Sequence, residues 1–452
     1  MATNPLSQTD IGALAARYGN EIITEQINND VPILGSGALE KIKSRGKLHV
    51  VNVIGGGLDS TSFIADGGAM QSGSSAVPLQ GSVAPVHILT RISIGRGAAM
   101  LSAGVEDSVD MVKFQLENAG RDAARKMGRS LFSAQLDGYV GGDGATPVAG
   151  VYTDVQLNDV SGLREGDAVV LYDASLDDTF LLEVQRVTPA AVGSNSANVA
   201  GLVTFANTVY GTDPGRGTPG GAHEDGDLPV LATGDTFWLR GKWSVTGTGG
   251  TAAAQTVPVS FADISGSAAL HGLDPAGNAA GYGWVGITAS SFGVLTQESL
   301  SAISQRVRSL SGRMFSHLVL HPAAAAAFAA SAVSAGSAFG FGTGTTGAGR
   351  RLTVGADRDA LGTVLDKYES GLRFMGKPVL IEPNCPATEV VFHNRDAVKL
   401  AEWRDFAAEE EGSGAVLVDR TTFSYDIQLS AAMNMSCSQR RAVARCTGVT
   451  NL

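Results

Sequence analysis

Cysteine is scarce in this chain. Its 452 residues include three cysteines, Cys385, Cys437 and Cys446, and none of them forms a CxxC pair. An odd number leaves one thiol unmatched in any pairing, which is not typical of a disulfide framework. The sequence therefore predicts inert thiols and synthesis in a reducing, cytoplasmic compartment.

Basic charge and long apolar runs are also in short supply. The formal charge is -11 and the isoelectric point is near 5.1. Tight binding of phosphates needs clustered Lys and Arg, so this balance argues against a groove that grips nucleic acid. No stretch reaches the roughly 18 apolar residues of a membrane span. The start, MATNPLSQTD, lacks the basic end and apolar run of an export signal, so we expect neither a membrane span nor general export.

Nucleotide-binding motifs are present only in incomplete form. Gly371–Lys377 (GLRFMGK) matches the first seven positions of a phosphate-binding loop, but Pro378 stands where Ser or Thr would ligate magnesium. A strand follows instead of a helix, so no helix amino terminus is there to hold phosphates. Gly342, Gly344 and Gly347 fit GxGxxG without a strand before them or a helix after them, which indicates a flexible tip.

Catalytic and metal-binding motifs are no more complete. His317 and His321 are four apart, but Leu318 stands where a metalloprotease helix has Glu, so we predict a structural pair with His321 near the cap of the next helix. Glu409–Glu411 is most simply a solvated turn, with calcium binding as an alternative. No GxSxG elbow or triad context is found. The sequence predicts no enzyme, no cofactor, and no catalytic, cofactor-binding or metal-binding residue.

What the chain does have is one long helix signal, over Gly104–Ala134. Acidic residues crowd its start and basic residues its end, as the partial charges of helix ends favour. Apolar residues recur at spacings of three and four along one face: Val109, Val112, Leu116, Ala119, Ala123, Met127 and Leu131. At about 1.5 Å per residue the helix would run roughly 45 Å, which suits the backbone of a flat subunit.

Two strand-like stretches before this helix suggest a long hairpin. Lys47–Ile54 and Val86–Ile94 are rich in β-branched residues, and a long connection of Gly, Ser and Ala separates them. We predict a hairpin that reaches from the body onto a neighbour, with a surface loop as the alternative. Residues 1–46 hold too little apolar surface for a core and are predicted to lie as an arm against something larger.

The second half of the chain changes character twice. Val148–Trp243 is a series of short strand-like runs separated by Gly, Asp and Pro, typical of a small β sandwich or barrel. From Thr296 the pattern is α/β: a capped helix, the strand SHLVLHP, an alanine-rich helix and then strands of a mixed sheet. Two further strands rich in Gln, Asn, Ser and Thr close the chain.

The order of these parts resembles the major capsid protein of tailed double-stranded DNA bacteriophages, whose fold is named after phage Hong Kong 97. The most specific local features are FMGKPVLIEPNCPATEVVFHNRDAVKLAEW and SHLVLHPAAAAAF. The resemblance implies an α+β fold with an amino-terminal arm, an extended β-hairpin loop, a spine helix, peripheral and axial domains, and a β-rich inserted module. The implied division is 1–46 arm, 47–101 extended loop, 102–147 peripheral domain with spine helix, 148–245 β insertion, 246–295 connecting segment, 296–420 axial domain and 421–452 peripheral return strands.

The same resemblance implies a structural, self-assembling protein. Many copies would form the hexamers and pentamers of an icosahedral head shell around packaged DNA, without sequence-specific DNA binding or membrane contact. The implied partners are a separate scaffolding protein, a portal and a decoration protein. The implied location is the virion capsid, after synthesis in the cytoplasm of a bacterial host. The alternatives are an encapsulin-type compartment and an α/β enzyme with a β accessory domain.

The sequence departs from some of these relatives in two ways. Some weld their subunits through a Lys in the extended loop, but Leu48–Val112 contains no Lys. We therefore predict a shell without that crosslink. Others carry a cleavable scaffold at the amino terminus, whereas here the arm and the loop occupy the residues before the spine helix. Scaffolding is therefore predicted to be a separate protein.

Overall fold

The structure is a computed structural model. It describes residues 30–54, 78–95, 105–133, 135–138, 146–148, 151–157, 159–160, 163–173, 178–189, 201–207, 228–232, 234–239, 257–279, 283–328, 369–408, 416–419 and 424–450. This part of the chain contains both helices and strands, with the strands in long runs, which confirms the predicted α+β class.

The helices are few and the strands are many. The helices are α1 (Pro32–Gly35), α2 (Val105–Phe132), α3 (Phe261–Ser265) and α4 (Gln297–Ser311), with a 3-10 turn at Arg440–Ala442. Residues 322–328 are helical as well. The strands are β1 (Glu40–Lys43), β2 (His49–Ile54), β3 (Pro78–Val83), β4 (Val86–Gly95), β5 (Gln135–Gly138), β6 (Val151–Leu157), β7 (Ala168–Asp173), β8 (Asp178–Pro189), β9 (Gly201–Asn207), β10 (Thr236–Leu239), β11 (Ile287–Ala289), β12 (His317–Leu320), β13 (Glu369–Phe374), β14 (Lys377–Ile381), β15 (Glu389–His393), β16 (Val398–Ala408), β17 (Val416–Asp419), β18 (Ser424–Cys437) and β19 (Ala444–Thr447).

A first sheet is built around β18 and is called here the long-strand sheet. Its order is β1-β16-β18-β17, and β4 pairs with β18 as well. Because β4 pairs with Ser424–Met433 along one edge of β18, β16 and β17 take successive parts of the other edge. The single parallel pair in this sheet is β1 with β16, so the last part of the predicted arm adds an edge strand to it.

The long helix α2 packs against this sheet, and its bounds agree closely with the predicted Gly104–Ala134. Ala123, Ala124, Met127 and Leu131 are buried in the same core as the side chains of β16 and β18. Three of these four belong to the apolar stripe that the sequence predicted. The stripe is buried because residues three and four apart share one face of a helix.

The hairpin differs from the prediction in its second strand. β2 pairs with β3, from His49 opposite Val83 to Ile54 opposite Pro78. The strand predicted as its partner, β4, instead pairs with β18. Both β3 and β4 have the alternating pattern of a half-buried strand, and alternation does not specify which strand lies alongside. The residues between β2 and β3, 55–77, lie outside the described part of the chain.

The predicted β insertion is an antiparallel module in the order β5-β10-β7-β8-β9-β6, called here the β module. Its core contains Tyr152, Phe180 and the stacked rings of Phe205 and Phe237, whose centroids are 4.7 Å apart. The strand-like runs predicted within Val148–Trp243 correspond to β6, β7, β8, β9 and β10. The module begins at β5, directly after α2, because Leu136 joins its core; the sequence had placed its start at residue 148.

The third sheet mixes parallel and antiparallel pairs in the order β11-β19-β15-β12-β14-β13, and is called the mixed sheet. Helix α4 covers it with Leu300 and Val307. The helix is capped as predicted, with Thr296 accepting from the N–H of Ser299 and with Gly312 in the left-handed conformation. The last strand, β19, lies between β11 and β15, although the implied division had grouped it with β18 among the peripheral return strands. Likewise β16, from within the implied axial range, pairs with β18 in the long-strand sheet.

Candidate assembly surfaces

The β2–β3 hairpin has one covered face and one open face. Val51, Val53 and Val83 are buried against the body of the protein. On the other face of β2 and the residue before it, Val50 is 54% exposed and Leu48 is 51% exposed. Successive side chains of a strand point to opposite faces, so both faces of this ribbon carry apolar side chains and the body covers only one.

His271 fastens the covered face of the hairpin to the long-strand sheet. Its backbone oxygen accepts the N–H of Ser82 at 3.0 Å, and its ring Nε2 accepts the N–H of Cys437 at 3.1 Å. A Cβ at Gly81 would lie 3.1 Å from the His271 Cβ, so glycine permits this close approach. Burial, with Arg440 nearby, lowers the pKa of His271 to about 4, which keeps Nε2 free to accept.

Glu382 fastens residues 30–33, which lie within the predicted arm of residues 1–46. Its carboxylate accepts the N–H of Ile33 at 3.0 Å, the N–H of Asn384 at 3.2 Å and the side-chain amide of Asn384 at 2.8 Å. Asn384 also donates to the backbone oxygen of Asp30 at 3.3 Å. The hydrogen bonds favour the charged carboxylate, but burial outweighs them and raises the pKa of Glu382 to about 7.

His393 adds a second attachment for the same segment. Its Nε2 lies 2.8 Å from the backbone oxygen of Ala38, so the ring donates to that oxygen through Nε2. Complete burial lowers the pKa of His393 to about 4, which favours the neutral ring. Residues 30–39 are therefore held to the body at two points by side chains that lie far away in the sequence.

Ion pairs join the long helix to the β module and to the mixed sheet. Both terminal nitrogens of Arg125 donate to the carboxylate of Asp167, at 2.7 and 2.5 Å. Arg129 lies 3.6 Å from Asp159, and both side chains are 4% exposed. Asp159 also accepts the N–H of Ala387 at 3.1 Å, in the turn before β15. The bidentate, largely buried pair fixes the orientation of the β module on α2.

Arg440 is the largest fully buried side chain among the described residues. It donates to five backbone oxygens at 2.5 to 3.1 Å, those of Asp263, Ile264, Gly266, Ala268 and Trp284. Several of these carbonyls come from the end of α3, where partial negative charge favours a cation. The guanidinium thus connects residues 263–284 to the turn between β18 and β19.

Local sequence patterns do not identify the partners of these attachment points. His271, Glu382 and Arg440 each contact a segment at least 156 positions away. A single sequence does not reveal such pairs, because helix and strand periodicity reports only on neighbours within one element. The unusual polar residue between apolar ones, as in VLIEP around Glu382, was the one available hint.

The structure also locates the incomplete motifs. Gly371–Lys377 covers the end of β13, a turn at Met375 and Gly376, and the start of β14. His317 and His321 are at the start and just after the end of β12, and His321 Nδ1 accepts the N–H of Ala323 at 3.1 Å. The predicted place of His321 at the next helix is therefore confirmed. Gly342–Gly347 and Glu409–Glu411 lie outside the described residues.

The cysteines are buried and unbonded. Burial raises the pKa of all three thiols, to about 12 for Cys437 and Cys446. Within the described ranges, no three His, Cys, Asp or Glu side chains gather closely enough to hold a metal ion. No helix in the same ranges has both the length and the apolar character needed to cross a membrane.

Comparison with known proteins gives structural neighbours only. No protein family and no curated protein matches the sequence. The cyanophage A-1(L) capsid matches with a TM-score of 0.45 and 12% identity, over 93% of this chain and 93% of that chain. A chain of Mycobacterium phage Adephagia matches at 0.41 and 10%, over 93% and 90% respectively. The holo-SrpI encapsulin from Synechococcus elongatus matches at 0.40 and 9%, over 93% and 89%.

The chain resembles phage capsid proteins. The alignments to these solved structures extend over more than nine-tenths of the chain. It is a remote likeness, since the identities are 9–12% and the TM-scores are low.

Proposed function

We propose that this chain is the structural subunit of a closed shell, the major capsid protein of a tailed double-stranded DNA phage. Copies of it would assemble as hexamers and pentamers into an icosahedral head around packaged DNA. The observation that carries the proposal is the β2–β3 hairpin, whose apolar outer face at Leu48 and Val50 is about half exposed among the described residues. In a protein that assembles from many copies, a second copy of the chain is the simplest partner to bury this face.

Further exposed apolar side chains lie on separate elements. Leu89 on β4 is 68% exposed, Phe114 on α2 is 63% exposed and Val294 before α4 is 56% exposed. Single exposed apolar residues are ordinary on protein surfaces. Their distribution over several elements nevertheless suits a subunit with more than one neighbour, because each contact in a shell uses a different part of the surface.

The charge of the chain suits the inside of such a shell. With a net charge of -11, the average surface repels DNA and allows it to be packed and released without adhesion. The described chain can then be divided into the extended loop, the spine helix α2, the β module, and peripheral and axial parts centred on the long-strand and mixed sheets. Separate scaffolding, portal and decoration proteins would complete a virion capsid synthesised in the host cytoplasm.

The proposal is tested by the size of the assemblies that the purified full chain forms. Sedimentation and electron microscopy should show closed shells. The double variant Leu48→Asp with Val50→Asp should form far fewer shells, because it places charge on the open face of the hairpin. The matched control, Leu202→Asp with Val230→Asp on and beside the β module, changes the same charge at exposed sites. A wild-type chain that remains a monomer or dimer would contradict the proposal.

The contents of the shells separate a capsid from a compartment. Shells that fill with DNA during infection support the capsid, whereas small shells that carry an enzyme identify an encapsulin-type container. A denaturing gel of mature particles should show single chains and no ladder of covalent multimers, because Leu48–Val112 offers no Lys for a crosslink.

A further inference from the structure

One end of the mixed sheet carries basic side chains on four neighbouring strands. His317 begins β12, opposite His393 at the end of β15, and Arg395 follows two residues later. Lys377 begins β14, and Arg373 lies near the end of β13, opposite Pro378. The strand order β15-β12-β14-β13 places Arg395, His317, Lys377 and Arg373 in sequence across this end, and these four residues are called here the basic row.

The dimensions of the basic row follow from sheet geometry. Neighbouring strands lie about 4.8 Å apart, so three steps give a row of roughly 14 Å. The hydroxyl of Ser316 holds Arg395 and His317 together. Ser316 Oγ accepts the N–H of Arg395 at 2.9 Å and lies 2.9 Å from His317 Nδ1. Arg313 is close by, since the next residue, Met314, accepts a hydrogen bond from Asn394 at 2.7 Å.

These charges face water and are not neutralised by ion pairs. Arg313, Arg373 and Arg395 are exposed, and Lys377 is half-buried. In the described part of the chain, no carboxylate lies within ion-pair distance of any of them. Arg395 is close enough to Glu40 to lower the pKa of that carboxyl, but Glu40 is itself bound to Lys399 at 2.9 Å.

The pKa of His317 reflects burial and the positive electrostatic potential of its neighbours. Its pKa is lowered first by burial and then by the positive charges of Arg395 and Lys377. The basic row is therefore a region of positive potential on a chain of net charge -11. At physiological salt the Debye length is about 8 Å, so an approaching anion responds to these nearby charges more than to distant acidic ones.

We propose that the basic row binds phosphate groups of the nucleic-acid backbone. Arg and Lys bind phosphate through charge-assisted hydrogen bonds, and arginine can use two parallel bonds. A docked protein is less well suited, because interface cores are apolar and depleted of charge. Among the described side chains of these strands and their turns, Met375 in the β13–β14 turn is the exposed large apolar one, at 44%. The contact is independent of sequence, since no base edge is involved.

This inference goes beyond the shell function and does not depend on it. A chain that forms no shell can still bind DNA through the basic row, and a chain that forms shells can fail to do so. The binding is expected to be weak and strongly dependent on salt, because backbone contacts act by releasing counterions. Such contacts would hold packaged DNA in place at a few points per subunit without impeding its release.

The test is fluorescence anisotropy of a labelled DNA duplex of about 20 base pairs titrated with the unassembled full chain. Three to four phosphate contacts predict a slope of about -3 for log K against log salt, roughly a 60-fold loss between about 50 and about 200 mM. The variant with Arg373→Gln, Lys377→Gln and Arg395→Gln should bind at least about tenfold more weakly and with a shallower slope.

The control variant removes the same number of charges elsewhere. Lys126→Gln, Arg164→Gln and Arg186→Gln lie on α2 and the β module, and should leave the affinity within about twofold. Equal losses in the two variants, no binding by the wild type in about 50 mM salt, or equally good competition by polyglutamate would overturn the inference. Sedimentation also measures whether the basic-row variant still forms shells. A variant that forms shells but binds DNA weakly separates this inference from the proposed function.

Discussion

Glu382 accepts the backbone N–H of Ile33 at 3.0 Å, across 349 positions of sequence. The carboxylate also receives two hydrogen bonds from Asn384, which itself donates to the backbone oxygen of Asp30. The turn after β14 thereby fastens residues 30–33, which belong to the predicted arm, to the body of the protein.

This carboxylate gives stability a pH dependence. The folded pKa of Glu382, about 7, is above the ordinary value of 4.5, so the unfolded chain loses this proton first as pH rises. Stability should therefore fall between about pH 4.5 and pH 7, by about 3 kcal/mol relative to Glu382→Gln, which has no proton to lose. Denaturant unfolding of both proteins at pH 5 and pH 8 measures the difference. Glu298→Gln, at an exposed position of α4, should show no such divergence.

His271 should give stability a pH dependence of the opposite sign. Its folded pKa of about 4 is below the ordinary 6.5, so the unfolded chain binds the proton first as pH falls. Stability should drop by about 3 kcal/mol between about pH 6.5 and pH 4, and His271→Gln should remove this loss. Hydrogen exchange of the Ser82 and Cys437 amides reports the site directly. Equal pH dependence in wild type and His271→Gln would refute the assignment, and His87→Gln on β4 serves as control.

Replacing Arg440 with lysine, another cationic side chain, should lower the stability of the fold. Lysine has three donors on a flexible stem, whereas this site presents five backbone oxygens to a planar guanidinium. Arg440→Lys should lower the free energy of unfolding by about 2–4 kcal/mol, because buried carbonyls lose their partners. Chemical denaturation checks this. Arg441→Lys, at the adjacent half-buried position, should change stability by less than about 1 kcal/mol.

Asp167 links the β module to the long helix. Asp167→Asn keeps the size of the side chain but removes the bidentate carboxylate of Arg125, which then keeps only its second ion pair, with Asp122 on the same helix. The substitution should lower the free energy of unfolding by about 2–4 kcal/mol. It should weaken the attachment of the β module to α2 more than the packing inside the module. Limited proteolysis between residues 133 and 160 should accelerate. If Asp154→Asn, in an exposed pair with Arg186, accelerated cleavage as much, the specific role of Asp167 would be excluded.

Local patterns predicted the elements well and their partners poorly. The long helix, the five runs of the β module and the capped helix α4 all follow from periodicity or end signals within one stretch. The pairing of β2 with β3, and the place of β19 beside β15, depend on contacts between distant segments. Strand alternation is the same for every partner, so the sequence alone did not distinguish among them.

The attachment points were unpredictable for a related reason. Arg440 and Glu382 look like ordinary surface residues in the sequence, because charged side chains are seldom fully buried. They are buried here since backbone groups of distant segments complete their hydrogen bonding. The weak apolar pattern around Leu48 and Val50, in contrast, was visible at once, and it is the feature that the proposed shell uses.

The position of β19 sets a limit on when this protein can fold. Strand 444–447 lies in the interior of the mixed sheet, with β11 on one side and β15 on the other. A ribosome must therefore release residues through 447 before that sheet can close, and the strands made earlier keep unpaired edges until then. Chaperones have their strongest reason to act during this interval, and a premature stop before residue 444 would leave chains whose unpaired strand edges promote aggregation.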